Sequence, residues 1–484
     1  MVSNKLTITK INETYIRVDC EPGIAHELSD FFTFLIPNAR FHPLVKNKVW
    51  DGKIRLYNVM TKLLYTGLLT TVQAFAVARD YEVELLSDFN DTEFSLHEAK
   101  SFVESLNVPN IEFRDYQIQA LAYAVRKSRA LMISPTASGK SLIIYSIVQY
   151  YKKRTLIIVP TVSLVSQMAS DFEAYGYKKE IHKIYSGVDK TIDTDIVIST
   201  WQSIYKMPKS WFSQFEAVVG DEAHLFKAKN LTLIMEKMLN CKYRFGFTGT
   251  LDNSETNKMV LEGLFGSVKR VASTTDLIEK KHLADLTIKV LLLKYSDEIR
   301  KQCRGVDYPT EMDFIVSYSP RNKFIQNLTL SLEGNVLLLF QYVEKHGKDL
   351  YHNIKSSVNN RKVFFVYGGV DGEEREEIRK LVETETNAII VASSGVFSTG
   401  VNIRNLHNII FASPSKSKIR TLQSIGRGLR KSDTKEKVTI FDIADDLTWK
   451  NKNNFTYEHC RERIKIYKEE GFNYKVYNID IKGS

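Results

Sequence analysis

The sequence predicts an α/β protein in which two parallel-sheet lobes follow one another, preceded by a small α+β domain. Between about residues 112 and 445, short apolar runs rich in β-branched residues alternate with longer amphipathic segments. The runs are apolar throughout, which is typical of parallel strands that are buried on both faces. They are also too numerous for one compact sheet, and the less regular region 270–335 divides them into two groups.

The predicted strands and helices alternate in the order that βαβ units require. The strands of the first lobe are 130–134, 155–160, 195–200, 217–222 and 245–250, and those of the second are 362–369, 387–393, 408–413 and 438–443. We predict an α+β domain over 1–95 that binds DNA, a first lobe over 96–278, a second lobe over 279–450, and a basic helix and tail over 451–484. Residues 87–95 are the candidate linker, and the lobe boundary falls near 275–285.

Composition narrows the class of protein and its partners. The formal net charge of +10 suits a polyanion such as nucleic acid or an anionic membrane surface, although it also fits a merely basic protein. No apolar run approaches the ~20 residues of a membrane span, and the first ten residues lack the apolar core of a signal peptide. We therefore expect no membrane partner. The scattered cysteines have no zinc-like or redox-like spacing, so we expect reduced thiols and a cytoplasmic location. They are Cys20, Cys241, Cys303 and Cys460.

The stretch SPTASGKS, residues 134–141, nearly matches the phosphate-binding loop G-x-x-x-x-G-K-[ST], with Ser134 in place of the first glycine. It follows a predicted strand and opens a predicted helix, where free backbone N–H groups attract phosphate. Gly139 allows the backbone to approach the phosphates, Lys140 reaches the β- and γ-phosphates, and the Ser141 hydroxyl is a ligand for Mg²⁺. The residues predicted to bind ATP in this loop are Thr136, Ser138, Gly139, Lys140 and Ser141.

A second motif, VVGDEAH, places Asp221 and Glu222 directly after a buried strand. Carboxylates at the C-terminal edge of a parallel sheet face the ligand crevice. Asp221 is therefore a candidate Mg²⁺ ligand, and Glu222 is a candidate to orient or deprotonate the attacking water. In a third motif, QSIGRGLR, Arg427 and Arg430 lie on one helix face and could stabilise the charge that builds up during phosphoryl transfer.

The three motifs together resemble those of superfamily 2 helicases, and further stretches match in the expected order over about 112–445. They are FRDYQ (113–117), VPTVSLVSQM (159–168), ISTWQS (198–203), TGT (248–250) and SSGVFSTGVNI (393–403). A narrower resemblance, to the recombination-and-repair helicases of T-even-type phages, includes VKNKVWDGKIRLY (45–57) and extends over nearly the whole chain. Ala137 departs from the pattern, because superfamily 2 loops often carry glycine there.

The resemblance implies RecA-like lobes with ATP in the cleft between them and gives roles to further residues. Gln117 would read the adenine, Gly400 would face ATP, and His224, Thr248, Thr250 and Gln423 would couple hydrolysis to movement. Thr161, Thr200 and Thr399 would bind strand phosphates, although each could equally be a helix cap or turn residue.

The small domain carries a basic stretch of its own. Arg40, Lys46, Lys48, Lys53 and Arg55 are interleaved with Phe41, Trp50 and Tyr57, and Asp51 is the single acid among them. Cations can neutralise phosphate while aromatic rings stack on bases. We favour a core position for Trp50 and, narrowly, DNA contact over a solvated surface for the cations. The tail residues Arg461, Arg463, Lys465 and Lys468 suit a DNA contact and a solvated helix equally well.

The resulting expectation is an ATP-hydrolysing, Mg²⁺-dependent DNA helicase with single-stranded and branched DNA as partners. The resemblance implies 3′–5′ movement and action on Holliday junctions, D-loops, R-loops and stalled forks in phage recombination, repair and replication. It extends the partners to RNA–DNA hybrids and to recombination or single-strand-binding proteins, in the host cytoplasm. An RNA helicase and an ATP-gated nucleic-acid clamp without strand separation are the alternatives.

Overall fold

The computed structural model describes residues 4–36, 39–251, 255–358, 360–370, 372–399, 403, 405–413, 417–429 and 435–481. Within these ranges the side chains of 227, 255–257, 372–376, 379, 397–399, 418–420, 423 and 427 are not described. The chain forms two compact units, one of Met1–Ser134 with Gly139–Val271 and one of Pro135–Ser138 with Ala272–Ser484.

The N-terminal part of the first unit is an α+β structure, as predicted. Its four-stranded sheet has the order β5-β2-β1-β6, with β1 Lys5–Lys10, β2 Tyr15–Asp19, β5 Leu63–Tyr65 and β6 Glu82–Leu85. A separate antiparallel pair is formed by β3 Thr33–Leu35 and β4 Lys53–Arg55, and the helices are α1 Pro22–Phe31, α2 Pro43–Lys46 and α3 Leu69–Val77. Alternate residues of β1, Leu6 and Ile8, are fully buried, as expected for a strand with one face on a core.

The first lobe is a seven-stranded parallel sheet of order β13-β7-β12-β11-β8-β10-β9. Its strands are β7 Arg129–Ile133, β8 Thr155–Val159, β9 Ile181–Ile184, β10 Ile196–Thr200, β11 Ala217–Asp221, β12 Tyr243–Thr248 and β13 Val268–Arg270. Its helices are α4 Leu96–Ser105, α5 Asp115–Lys127, α6 Lys140–Tyr151, α7 Val162–Ala174, α8 Trp201–Ile204, α9 Lys209–Phe212, α10 Lys229–Lys237 and α11 Glu255–Phe265. The carboxyl ends of the neighbouring strands β7, β12 and β11 therefore carry the phosphate loop, the TGT motif and the DEAH motif side by side.

The second unit is built on another seven-stranded parallel sheet, of order β16-β17-β15-β18-β19-β14-β20. Its strands are β14 Asp285–Lys294, β15 Val336–Phe340, β16 Val363–Val366, β17 Ile389–Ser393, β18 Asn408–Phe411, β19 Lys437–Asp446 and β20 Tyr474–Asp480. Its helices are α12 Thr274–Glu279, α13 Asp297–Gln302, α14 Tyr308–Ser317, α15 Ser319–Ser331, α16 Lys348–Ser356, α17 Gly372–Thr384, α18 Ser394–Thr399, α19 Lys418–Gly428 and α20 Phe455–Glu469. The tandem parallel sheets confirm the predicted fold class.

Within the first unit, the α+β part and the lobe share one hydrophobic core, in which Leu6 and Leu64 belong to the same cluster as Leu131 and Leu264. Their backbones meet at Gly67, where an added Cβ would lie 2.0 Å from the carbonyl oxygen of Glu262. Only glycine fits so close an approach. The four-part division of the chain stays a prediction.

The C-terminal segment is part of the second sheet, which the sequence did not predict. Strand β20 pairs in parallel with β14, and Arg463 in α20 is 2% exposed. The Arg463 guanidinium binds the buried carboxylate of Asp442, with Nη2 and Oδ1 2.7 Å apart. The prediction that Arg463 lies on a DNA-binding or solvated face is therefore wrong.

All four cysteines are free thiols, and Cys241 and Cys460 are buried. Among the described residues, no helix combines the length and apolarity needed to cross a membrane.

Candidate active site

The phosphate loop joins the end of β7 to the start of α6. Ser134 is fully buried, and its backbone N–H donates to the carbonyl oxygen of Thr248 over 2.8 Å. It therefore continues the pairing of β7 with β12 and lies outside the left-handed backbone region. A serine is tolerated in place of the first glycine because this position needs no positive φ.

The second loop glycine cannot be replaced so easily. Gly139 has a φ of +80°, and an added Cβ would lie 2.4 Å from Nε2 of Gln117. Gln117 is 3% exposed, and its Oε1 accepts a hydrogen bond from the backbone N–H of Arg114 over 2.9 Å. The candidate adenine reader is thus held against the phosphate loop.

The turn before Gly139 is closed by Ser138, whose hydroxyl donates to the carbonyl oxygen of Pro135 over 2.6 Å. At the tip of this turn Ala137 has a φ of +65°. For an L-residue with a Cβ this conformation costs about 1–2 kcal/mol. The loop therefore carries backbone strain at the position where related loops often have glycine.

We expect Ala137→Gly to raise the free energy of unfolding by about 0.5–1 kcal/mol, because relief of the strain exceeds the added entropy of the unfolded chain. Urea denaturation of the full chain measures the change. The matched control is Ala174→Gly at the exposed end of α7, which we expect to destabilise by about 0.5–1 kcal/mol. Equal destabilisation by both variants would contradict strain at Ala137.

Three charged side chains meet at the end of β11. The Lys140 ammonium lies 3.5 Å from Oδ1 of Asp221 and 3.3 Å from Oε1 of Glu222. Burial by itself would lower the pKa of Lys140, but the two carboxylates outweigh it and raise that pKa. Burial raises the pKa of Asp221, whereas Lys140 and His224 together overcome burial and lower the pKa of Glu222. Glu222 is thus held as a carboxylate, the form that can accept a proton from water.

The same carboxylate is linked to the end of β12 through His224. Its Nδ1 lies 3.3 Å from Oε2 of Glu222 and 3.0 Å from Oγ1 of Thr248. The Thr248 hydroxyl in turn donates to the carbonyl oxygen of Thr250 over 2.8 Å. The buried hydroxyl of Thr250 has no hydrogen-bond partner within the described part of the chain. His224, Thr248 and Thr250, predicted as coupling residues, therefore lie together beside the predicted base.

The donors suit a magnesium ion that completes its shell with water and phosphate. Oδ1 of Asp221 is buried and accepts no hydrogen bond among the described residues, and the Lys140 ammonium lies 3.5 Å from it. The Ser141 hydroxyl lies 2.8 Å from the hydroxyl of Tyr175. Among the described residues there is no group of three or more His, Cys, Asp or Glu that could hold a metal ion.

Tyr175 was not predicted from the sequence, because it lies 34 residues beyond Ser141 and belongs to no motif. Its ring packs on Tyr145, one helical turn after Ser141, with the centroids 5.4 Å apart. Only the packing of α6 against α7 brings this hydroxyl to the phosphate loop.

The candidate strand-binding threonines lie at the ends of the neighbouring strands β8 and β10. The Thr161 hydroxyl caps α7 by accepting from the backbone N–H of Leu164 over 3.4 Å; its contact with a strand phosphate stays a prediction. Thr200 is 5% exposed and its hydroxyl lies 2.9 Å from that of Ser203. The exposed Gln202 donates from Nε2 to the carbonyl oxygen of Pro160 over 3.5 Å. Gln202 and Ser203 belong to the matched stretch 198–203, but the sequence analysis did not name them individually as candidates.

The second-lobe candidates are the part of the prediction that the structure does not address. Gly400 and Arg430 lie outside the described residues. Gln423 and Arg427 lie in α19 and Thr399 ends α18, but their side chains are not described.

The basic stretch of the N-terminal domain is exposed. Arg40, Lys46, Lys48, Lys53 and Arg55 all face solvent, and Arg55 is paired with Asp51. The aromatic residues separate into three environments. Tyr57 is 1% exposed and Phe41 is 58% exposed, whereas Trp50 is half-buried and donates from Nε1 to the carbonyl oxygen of Lys53 over 3.1 Å.

Three family models match successive parts of the chain. Residues 8–86 match the N-terminal domain of the DNA helicase UvsW. Residues 110–253 match the res subunit of type III restriction enzymes, and residues 320–432 match the helicase conserved C-terminal domain.

The ATP-dependent DNA helicase uvsW of Enterobacteria phage T4 is 35% identical to this chain over 97% of the chain and 98% of that protein. The chain belongs to the UvsW family of helicases. The predicted resemblance to superfamily 2 and to phage recombination-and-repair helicases is thereby confirmed. A more distant relative is the DNA 3′–5′ translocase XPB2 of Sulfurisphaera tokodaii, which is 26% identical to this chain over 83% of the chain and 93% of that protein.

Solved structures agree with this placement. The crystal structure of T4 UvsW matches with a TM-score of 0.52 and 33% identity over 99% of the chain and all of that structure. A type ISP restriction-modification enzyme, LlaBIII, bound to DNA matches 83% of the chain with a TM-score of 0.57 and 17% identity. At that identity the second match shows the fold alone.

Proposed function

We propose that this member of the UvsW family is an ATP-dependent DNA helicase that unwinds and branch-migrates branched DNA, including Holliday junctions, D-loops, R-loops and stalled forks, in phage recombination, repair and replication. The observation that carries the proposal is the connected set of Lys140, Glu222, His224 and Thr248, in which each polar group lies within 3.3 Å of the next. The relationship to the ATP-dependent DNA helicase of phage T4 supports the same conclusion.

In the proposed reaction Lys140 neutralises the β- and γ-phosphates, and the backbone from Thr136 to Gly139 supplies N–H donors. Gln117 contacts the adenine, and Glu222 orients or deprotonates the attacking water. Ser141 and Asp221 are the residues that would hold Mg²⁺, which when bound neutralises charge that develops on the phosphates. His224 connects this charge change to Thr248 and Thr250, and thereby to the end of β12.

Four second-lobe residues have roles that rest on the family resemblance. We assign Gly400 to ATP contact and Gln423 to coupling. Arg427 and Arg430, three residues apart on one helix, are assigned to stabilising charge on the transferred phosphoryl group. The family resemblance is also the basis for proposing action in the host cytoplasm and on RNA–DNA hybrids. It is likewise the basis for proposing recombination or single-strand-binding proteins as partners.

We propose DNA contacts in the two lobes and in the N-terminal domain. Thr161, Thr200 and Thr399 are assigned to phosphates of the tracking strand, where contacts position the strand without reading bases. Arg40, Lys46, Lys48, Lys53 and Arg55 are assigned to phosphates of the branched region.

Replacing Lys46, Lys48 and Lys53 together by alanine is expected to weaken DNA binding and to flatten its salt dependence. Each lost phosphate contact lowers the slope of log K against log salt by about 0.9 for duplex DNA. Titrations by fluorescence anisotropy at four salt concentrations measure the slope. The control removes the same charge from Lys100, Lys178 and Lys209, which are exposed lysines of the first lobe. An unchanged slope in the first variant would exclude these lysines from the binding surface.

Strand displacement on a labelled fork, with and without ATP, tests the proposed function itself. ATPase activity is measured in parallel with single-stranded DNA, fork DNA and RNA. We expect DNA-stimulated hydrolysis and ATP-dependent displacement. Stimulation by RNA alone would favour an RNA helicase, and hydrolysis with binding but no displacement would favour a clamp.

A further inference from the structure

The segment that precedes β4, residues 39–52, exposes several large apolar side chains. We call this segment the arch. Val49 is 72% exposed, Phe41 58% and Leu44 46%. Val49 and Leu44 lie close together at the turn that follows α2, because the backbone N–H of Val49 donates to the carbonyl oxygen of Leu44 over 2.9 Å, and Phe41 lies just before α2. Single exposed apolar residues are ordinary, whereas several on one short segment make that segment a candidate for contact with a partner.

The arch is a built structure. At its base the N–H of Ile36 donates to the carbonyl oxygen of Gly52 over 2.9 Å, and Gly52 has a φ of +76° with Ala39 packed against it. The Trp50 ring meets His42 edge to face at 5.4 Å between centroids. Trp50 is therefore committed to holding the arch together, which leaves Phe41 as its exposed aromatic ring.

Cations without acidic partners surround the apolar group. The Arg40 guanidinium lies 4.7 Å from the centre of the Phe41 ring. Asp51 is paired with Arg55. Among the described residues no carboxylate forms an ion pair with Arg40, Lys46 or Lys48, although two half-buried lysines of the same domain, Lys5 and Lys62, do have one.

An exposed aromatic ring surrounded by cations without acidic partners is complementary in charge to nucleic acid. An exposed aromatic ring with an arginine against it provides stacking for a base, and unpaired lysines beside it provide contacts for the flanking phosphates. A base is available for stacking only where the duplex is open. The arch therefore suits the unpaired nucleotides at a junction between single-stranded and double-stranded DNA better than a closed helix.

We propose that the arch binds the junction of branched DNA by stacking Phe41, with Arg40 against it, on an unpaired base, while Lys46 and Lys48 hold the adjacent phosphates. This inference rests on the proposed helicase function and adds to it a residue that recognises the opened base pair. The role of Phe41 is separate from that of the cations, because stacking does not depend on salt in the way that phosphate contacts do.

The test uses the full chain with Phe41→Ala, Phe41→Trp and Met60→Ala. Met60 is 91% exposed in the same domain but outside the arch, so its variant is the matched control for loss of an apolar side chain. The probe is a fork with 2-aminopurine at the first unpaired position. Its fluorescence reports stacking at equilibrium without ATP, and strand displacement and ATPase stimulation by long single-stranded DNA are measured alongside.

For Phe41→Ala we expect about a tenfold loss of fork affinity and of the 2-aminopurine signal, with a corresponding loss of fork unwinding. The salt slope of binding and the ATPase activity on single-stranded DNA should stay within twofold of wild type. Phe41→Trp should retain the signal, and Met60→Ala should behave as wild type.

Wild-type fork affinity and fluorescence in Phe41→Ala would overturn the proposal, as would an equal loss of the ATPase activity on single-stranded DNA. Absence of ATP-dependent displacement by the wild-type protein would instead defeat the proposed helicase function. The equilibrium fluorescence comparison needs no ATP, so it decides the role of the arch in that case as well.

Discussion

Replacing Lys140 by alanine is expected to lower ATP turnover by about 10²–10³-fold or more while DNA affinity stays within about threefold of wild type. The variant loses the cation that neutralises the transferred phosphates. It also leaves the carboxylates of Asp221 and Glu222, 3.5 and 3.3 Å from the ammonium, without their counter-ion. Because Lys140 helps to lower the pKa of Glu222, its loss raises that pKa.

Hydrolysis in the presence of single-stranded DNA and binding by fluorescence anisotropy measure the two parts of this expectation. Glu222→Gln is the companion variant, since it should lose turnover but still bind ATP, whereas Lys140→Ala should lose both. Lys152→Ala, at the other end of α6, removes the same charge from a helix end away from the phosphate loop. Undiminished hydrolysis in Lys140→Ala would refute the phosphate-loop assignment.

Arg463→Ala is expected to destabilise the second unit by about 3–5 kcal/mol, because it leaves a buried carboxylate unpaired. The Asp442 side chain is fully buried and is bound by the Arg463 guanidinium and by the Tyr467 hydroxyl, which donates to Oδ2 over 2.9 Å. Burial alone would lower the pKa of Arg463, but Asp442 outweighs it and raises that pKa.

Thermal unfolding of the full chain, followed by circular dichroism, measures the loss. Arg461→Ala is the control, since Arg461 lies two residues away on the same helix, exposed, and pairs with Glu458 at the surface. Such pairs contribute about 0–1 kcal/mol. Replacing Asp442 and Arg463 together by leucine should recover much of the loss, because no unpaired charge remains. Equal effects of Arg461→Ala and Arg463→Ala would contradict the buried pair.

The contrast between Arg461 and Arg463 shows where reasoning from local sequence ends. Both arginines lie in the same basic stretch, and nothing in that stretch distinguishes them. They differ because α20 packs on β19, so that one face of the helix meets Asp442 and the other meets water. The short edge strands β9 and β13 were missed because their few residues lack the continuous apolar run that identified other strands. The longer strands β14, β15 and β20 were missed as well, although β14 and β15 do carry such runs.

The residues of the candidate nucleotide site likewise fall into those that the sequence predicts and those that only packing places there. The phosphate loop and the DEAH motif were recognised because their chemistry depends on neighbouring residues in the chain, and the structure brings Lys140, Asp221 and Glu222 together as that chemistry requires. The contact between Tyr175 and Ser141 joins residues 34 positions apart. The difference between Phe41 and Trp50 likewise depends on folding, because the Trp50 ring packs against His42 whereas the Phe41 ring stays exposed.

By itself, the sequence determined the tandem parallel sheets, the order of the nucleotide motifs and the basic character of the N-terminal domain. These properties follow from runs of adjacent residues, whose hydrophobicity and backbone preferences act locally. Tertiary structure alone decided which charges are buried, which hydroxyl meets the phosphate loop and which aromatic ring stays exposed. The physical reason is that burial and ion pairing depend on distances between atoms that packing brings together from remote parts of the chain.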